Sequence, residues 1–271
     1  MEMATTIIII STIMALIANS WTHNLKIWTN TKTLDGFDSG LEFTESKERA
    51  DILLSGSKKI NLDNFHKLKA IFRAGIGKDN IPEDEAFKKN IVVRFPSQKT
   101  IDIIFEETAN YTCNLILKMI YNNVGCINEW VKYQRTHLNN LKLLIIGNGN
   151  IGKRVYKKMS NFMDVITFDV LEQNLIELDQ LIKISDCISI HIPNTIENKD
   201  FFNYSKLSLM KDGSILINTS RAPIVNEENL LNEISNHRIK AAFDVFWEEP
   251  YNGKLKQFHP EYFHMSPHVS S

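Results

Sequence analysis

The 271-residue chain carries 31 Lys and Arg against 32 Asp and Glu, a formal net charge of −1, with 43% hydrophobic and 23% charged residues. That balance supplies no bulk attraction to nucleic acid or to an anionic membrane surface, and the length suits one large domain or two of ordinary size. Three cysteines (Cys113, Cys126, Cys187) are an odd number without metal-ligand spacing, and they read as reduced thiols of a cytoplasmic protein.

Residues 1–22 form an apolar extension of unclear role. Thr5–Ala18, with its run of four isoleucines, has the length of a signal-peptide apolar region and falls short of a ~20-residue span. The preceding MEMATT carries Glu2 and no basic residue, which argues against a secretory signal, and no membrane association is expected. Leu25–Asn30, Ala50–Leu54, Leu68–Arg73 and Ile91–Phe95 read as short strands, and Leu62–Leu68 has helical spacing. Strands alternating with helical segments imply parallel βαβ units, so residues 23–118 read as a small α/β domain. Glu106–Tyr121 is a long helical pattern that can link two domains. It breaks at Tyr121–Gly125, and a polar connector with Trp130 and Tyr133 follows.

From there the alternation resumes across 119–268. Leu141–Ile146 is an apolar run that fits a buried parallel strand. It ends at Gly147-Asn148-Gly149, and Asn150, Ile151 and Gly152 lead into helical spacing through Val155 and Met159. Val165–Phe168 is the next strand, closed by Asp169. Helix Leu175–Ile184, strand Cys187–Ile192 with Pro193, helix Tyr204–Met210 and strand Ser214–Asn218 follow. Helix Asn226–Ser235 and strands Lys240–Val245 and Tyr262–Met265 complete a doubly wound arrangement.

The pattern G-x-G-x-x-G acquires meaning from a strand before it, a helix after it and an acid closing the next strand. All three are present. The first glycine allows the turn, the second lets backbone approach a pyrophosphate, and the third lets helix and strand pack closely. The helix N-terminus adds N–H donors and positive dipole. Asp169 is placed to bind the adenosine ribose and to repel a 2′-phosphate, so NAD is the expected cofactor.

Ligands of an open parallel sheet lie outside the carboxyl ends of its strands. The ionisable residues there are His191, Arg221 after SILIN, Asp244 with Glu248 and Glu249 beyond KAAFDV, and His268 after the last strand. A cation, an acid and a histidine beside a nicotinamide suit hydride transfer coupled to proton transfer. Arginine grips a carboxylate with two donors, and histidine exchanges a proton near neutral pH. Periodicity does not choose among His191, His264 and His268.

Six stretches in order carry a resemblance: RAGIGKDNI (73–81), IIGNGNIG (145–152), DCISIHIPNT (186–195), MKDGSILINTSRAPIV (210–225), AAFDVFWEEP (241–250) and SPH (266–268). With these the chain resembles the D-isomer-specific 2-hydroxyacid dehydrogenases, the phosphoglycerate, glycerate and D-lactate dehydrogenase family. The resemblance implies a Rossmann NAD-binding domain over 119–268 and a smaller flavodoxin-like α/β substrate domain over 23–118. It implies that Arg221 binds the substrate carboxylate, that His268 is the acid or base, and that Glu249 orients its ring and stabilises imidazolium. Asp244 would hold the nicotinamide carboxamide, with Gly147–Gly152, Asp169, His191, Pro193 and Thr219 also lining the cofactor. Ser55, Gly56, Ile76 and Gly77 would contact substrate, a small D-2-hydroxy acid or its 2-oxo acid of the glycerate, hydroxypyruvate, glyoxylate or 3-phosphoglycerate type. A homodimer is implied, with the Trp130–Tyr133 connector as a contact.

Three departures accompany the resemblance. Ala222 stands where a glycine usually follows the arginine. The segment before Leu25 has no counterpart. The sequence ends at Ser271, so the usual C-terminal return helix is absent and weakened catalysis is expected. An NAD-binding regulatory scaffold and a catalytically impaired relative are the rival expectations.

Overall fold

The computed structural model describes residues 25–32, 35 and 40–270, so the apolar extension over 1–22 lies outside the described residues. The chain divides into two compact units, Met1–Ile104 and Phe105–Ser271. The expectation placed this boundary at 118/119; the division falls earlier in the same long helix, between Ile104 and Phe105.

Among the described residues, the first unit holds five parallel strands: β1 (Lys26–Thr29), β2 (Glu42–Phe43), β3 (Ile52–Ser55), β4 (Ala70–Arg73) and β5 (Val92–Arg94). Their order is β2-β1-β3-β4-β5. Every residue of β3 and β4 is buried, which is why these strands read as continuous apolar runs. Leu53 and Ile71 pack on one face with Leu62, Phe65 and Leu68; Ile52, Leu54 and Phe72 pack on the other with Ile27.

The helix expected over Leu62–Leu68 does not form. The side chain of Asn61 accepts from Asp63 N at 2.7 Å, and Phe65 N donates to Leu62 O at 3.1 Å, making successive turns. Asn and Asp compete with helix in this way, while the three apolar residues still reach the core. A helix that the pattern missed, α1 (Glu83–Lys88), follows Pro82 with three acids in its first turn and Lys88 in its last.

Helix α2 (Gln98–Ile120) begins earlier than the expected Glu106, because Ser97 Oγ accepts from Thr100 N at 3.3 Å and starts the helix directly after Pro96. It continues into the second unit, where Tyr121–Gly125 leads to a two-stranded antiparallel hairpin, β6 (Gly125–Cys126) and β7 (Val131–Lys132).

Six parallel strands form the sheet of the second unit: β8 (Lys142–Ile146), β9 (Asp164–Phe168), β10 (Cys187–Ile190), β11 (Ile215–Asn218), β12 (Lys240–Phe243) and β13 (Phe263–Met265). Their order is β13-β12-β11-β10-β8-β9. Chain order reverses between β8 and β10, which defines the switch point of a doubly wound fold.

Alternate residues of the strands serve opposite faces. Leu143, Ile145 and Ile217 pack against α2 through Ile116 and Met119, and against α3 (Asn150–Met159) through Val155 and Met159. Leu144, Ile146 and Leu216 pack against α4 (Leu175–Ile184), α5 (Tyr204–Leu207) and α6 (Glu227–Ser235). Both faces are covered, so each central side chain contributes roughly 1.5–3 kcal/mol of burial. Among the described residues, no helix is long and apolar enough to cross a membrane.

Candidate active site

The glycine loop sits at the switch point. Gly147 has φ +100°, and a Cβ there would lie 2.6 Å from His191 O, so only glycine lets β8 turn beside β10. A Cβ on Gly152 would lie 2.0 Å from Gly147 O, so the first turn of α3 presses directly on the loop. At Gly149 the same construction meets nothing within 4 Å, leaving an open backbone face.

Gly149 also begins α3 with no side-chain capping bond, whereas Asn174, Asn203 and Asn226 cap α4, α5 and α6. The backbone of Asn150, Ile151 and Gly152 therefore forms a first turn with no side-chain acceptor from its cap. Asp169, just past β9, reaches this loop: its carboxylate accepts from Asn148 N at 2.9 Å and Leu171 N at 3.0 Å. An open glycine face, an uncapped helix start and a neighbouring carboxylate fit a dinucleotide's pyrophosphate and ribose.

Further along the strand ends, His191 N donates to Ile146 O at 2.7 Å, and its ring Nε2 lies 2.8 Å from Ser189 Oγ. Burial pushes this ring down to about 4, so it is neutral at physiological pH. His264, within β13, is likewise pushed down to about 4, first by burial and then by Lys118 and His259. Pro193 O accepts from Asn198 Nδ2 at 2.9 Å, which shapes the loop after β10. Thr219 is buried with its hydroxyl 2.8 Å from Thr112 Oγ1; since Thr112 donates to Thr108 O, Thr219 is the donor.

Arg221 is half-buried, and its Nη1 donates to Ser220 O at 2.8 Å. Asn218, fully buried at the end of β11, forms this loop: its side chain donates to Arg221 O at 3.0 Å and accepts from Ser220 N at 2.9 Å. Ala222 opens a short 3-10 turn and is not among the residues with positive φ, so the usual glycine is not required there.

His268 and Glu249 meet directly. His268 Nδ1 lies 3.0 and 3.1 Å from the two Glu249 oxygens, with side-chain exposures of 21% and 28%. Glu249 Oε1 also accepts from Phe246 N at 3.2 Å. Of the three histidines that periodicity left open, His268 is thus the one seen beside a carboxylate, while His191 meets Ser189. Asp244 is fully buried, and its oxygens accept from Ser266 Oγ (2.6 Å), Val269 N (3.0 Å) and Ser270 N (2.8 Å). Sequence reasoning missed Asn218 and Ser266; the signal was a polar residue at the carboxyl end of an otherwise apolar strand.

Within the first unit, the loops after β3 and β4 are stitched together. Arg73 Nε donates to Gly77 O at 3.1 Å and Nη1 to Ser55 O at 3.4 Å. Asn80 Nδ2 donates to Gly56 O and Lys58 O at 2.8 and 3.0 Å. Ser55 is buried, with its hydroxyl donating to Gly56 O, while Gly56, Ile76 and Gly77 are half-buried.

Switch point, glycine loop and strand-end acid together describe a dinucleotide-binding α/β protein. A family model described as "D-isomer specific 2-hydroxyacid dehydrogenase, NAD binding domain" matches residues 121–270. D-3-phosphoglycerate dehydrogenase of Methanocaldococcus jannaschii is 32% identical over 233 residues, covering 77% of this chain and 44% of that protein. The chain thus spans less than half the length of that relative. Hydroxypyruvate reductase of Thermotoga maritima is 32% identical over 229 residues, 78% of this chain and 70% of that protein. A solved D-lactate dehydrogenase from Aquifex aeolicus, complexed with NAD and lactic acid, shares the fold. Its TM-score is 0.70 at 24% identity, over 90% of this chain and 88% of that one. The chain belongs to the D-isomer specific 2-hydroxyacid dehydrogenase family.

Proposed function

We propose that the protein interconverts a small D-2-hydroxy acid and its 2-oxo acid with NAD, the substrate being of the glycerate, hydroxypyruvate, glyoxylate or 3-phosphoglycerate type. The observation that carries this reading is the His268–Glu249 pair on the unit that holds the dinucleotide loop. Bound NAD supplies the hydride acceptor in oxidation, and its reduced form the donor in reduction. Arg221 holds the substrate carboxylate with paired donors. His268 delivers a proton to the C2 oxygen on reduction and removes it on oxidation. Glu249 accepts a hydrogen bond from Nδ1–H, which leaves Nε2 as the exchanging atom and stabilises the imidazolium. Asp169 selects NAD over NADP. Gly147–Gly152, His191, Pro193, Thr219 and Asp244 complete the cofactor contacts, Asp244 through its remaining acceptor capacity toward the carboxamide.

In this reading residues 23–118 correspond to a substrate domain and 119–268 to a Rossmann domain. The strand order of the first unit is that of flavodoxin-like sheets, which supports the former. Ser55, Gly56, Ile76 and Gly77 serve the substrate, Ser55 by shaping its loop. The protein works as a cytoplasmic homodimer; the exposed apolar hairpin supports the dimer.

A panel of 2-oxo acids with NADH, followed at the nicotinamide absorbance, tests the proposal. Turnover on one of them, lost in Arg221→Ala, is the expected result. Absence of turnover across the panel, or an active Arg221→Ala variant, refutes it.

A further inference from the structure

We infer that Asp244 is a positioning residue for His268, its carboxylate clamping the chain on both sides of the histidine. The inference rests on the acid–base role proposed for His268. Asp244 is 0% exposed, and a buried carboxylate is tolerated only where its oxygens are hydrogen-bonded. Here the donors come from one short segment. Ser266 Oγ precedes the histidine, and Val269 N and Ser270 N follow it. Two consecutive amides converge on one carboxylate because the residue before them is left-handed, a backbone concavity that binds anions. That residue is His268, with φ +55°. A non-glycine residue holds such a conformation at a cost, which the three bonds to Asp244 offset.

The clamp is itself anchored. Asp244 N donates to Asn218 O at 3.1 Å, and the side chain of Asn218 donates to Arg221 O at 3.0 Å. One hydrogen-bonded path therefore runs from the Arg221 loop through Asn218 and Asp244 to Ser266, Val269 and Ser270, the residues that flank His268. A contact with the nicotinamide carboxamide accounts for none of these bonds. The buried carboxylate thus has a second task, setting the ring that faces Glu249.

Ser266→Ala removes one donor to Asp244 without altering Arg221, Glu249 or His268, and Ser266→Thr restores the hydroxyl. The primary readout is the downfield imidazole Nδ1–H resonance of His268 in cofactor-free protein, the signature of its bond to Glu249. It is assigned by its loss in His268→Gln. NADH affinity and kcat are measured beside it. The expected result is a broadened or lost resonance in Ser266→Ala, with kcat down about tenfold, NADH affinity unchanged, and all values recovered in Ser266→Thr. A sharp resonance and wild-type kcat in Ser266→Ala overturn the inference. If Ser266→Ala does not fold, Asp244→Asn replaces it in the resonance comparison with the same expectation. A wild-type protein that turns over no 2-oxo acid defeats the proposed function, while the resonance still decides the clamp.

Discussion

His268 offers Nδ1 to both oxygens of Glu249, and the same carboxylate accepts from Phe246 N, so the ring is held by a group that is itself held. Glu249→Gln keeps the shape but removes the charge that stabilises imidazolium. We expect kcat for oxo-acid reduction to fall about a hundredfold, with a smaller change in KM. Steady-state rates in both directions check this; an unchanged kcat removes Glu249 from the proposed mechanism.

Asp169 reaches the glycine loop from the end of β9. Replacing it by alanine withdraws a ribose acceptor and a charge that repels a 2′-phosphate. NADH affinity should fall about tenfold while NADPH binding improves relative to it. Fluorescence titration with both nucleotides measures the ratio, and an unaltered preference would place the discrimination elsewhere.

The hairpin β6–β7 exposes Ile127 (76%) and Trp130 (84%) beside Val124, Val131 and Tyr133. Clustered apolar surface of this kind suits the contact of the proposed dimer. Light scattering should report a dimer for the wild type and a monomer for Trp130→Glu. A wild-type monomer at micromolar concentration contradicts the proposed assembly.

His191 and His264 are both held down to about 4 from an ordinary 6.5. A histidine depressed in the fold binds its proton more readily when unfolded, so stability is complete above 6.5 and declines as pH falls toward 4. Each group contributes a slope of up to about 1.4 kcal/mol per pH unit in that window. Urea unfolding across it should show the decline. His264→Phe should flatten it, since the ring's buried Nδ1 has no hydrogen-bond partner. Parallel curves for wild type and variant count against His264 as a source.

The second sheet was legible because buried parallel strands are unbroken apolar runs; KLLII, ILIN and KAAF are recovered within a residue or two. Strand β2 escaped notice since both its residues, Glu42 and Phe43, are exposed and carry no burial signal. Leu62–Leu68 misled because turns can bury residues at the same spacing as a helix. The His268–Glu249 pair followed from motif order. Asp244's grip on Ser266, Val269 and Ser270 did not, because nothing local in KAAFDV announces partners so distant in the chain.

Three asparagines close the starts of α4, α5 and α6, while Gly149 leaves α3 to find its acceptor elsewhere. The folded form alone possesses that uncapped turn, so a dinucleotide seated on it favours the folded form by mass action. The thermal midpoint of the second unit then becomes a gauge of cofactor supply, rising with nucleotide concentration. A protein short of NAD is for the same reason more open to unfolding and proteolysis.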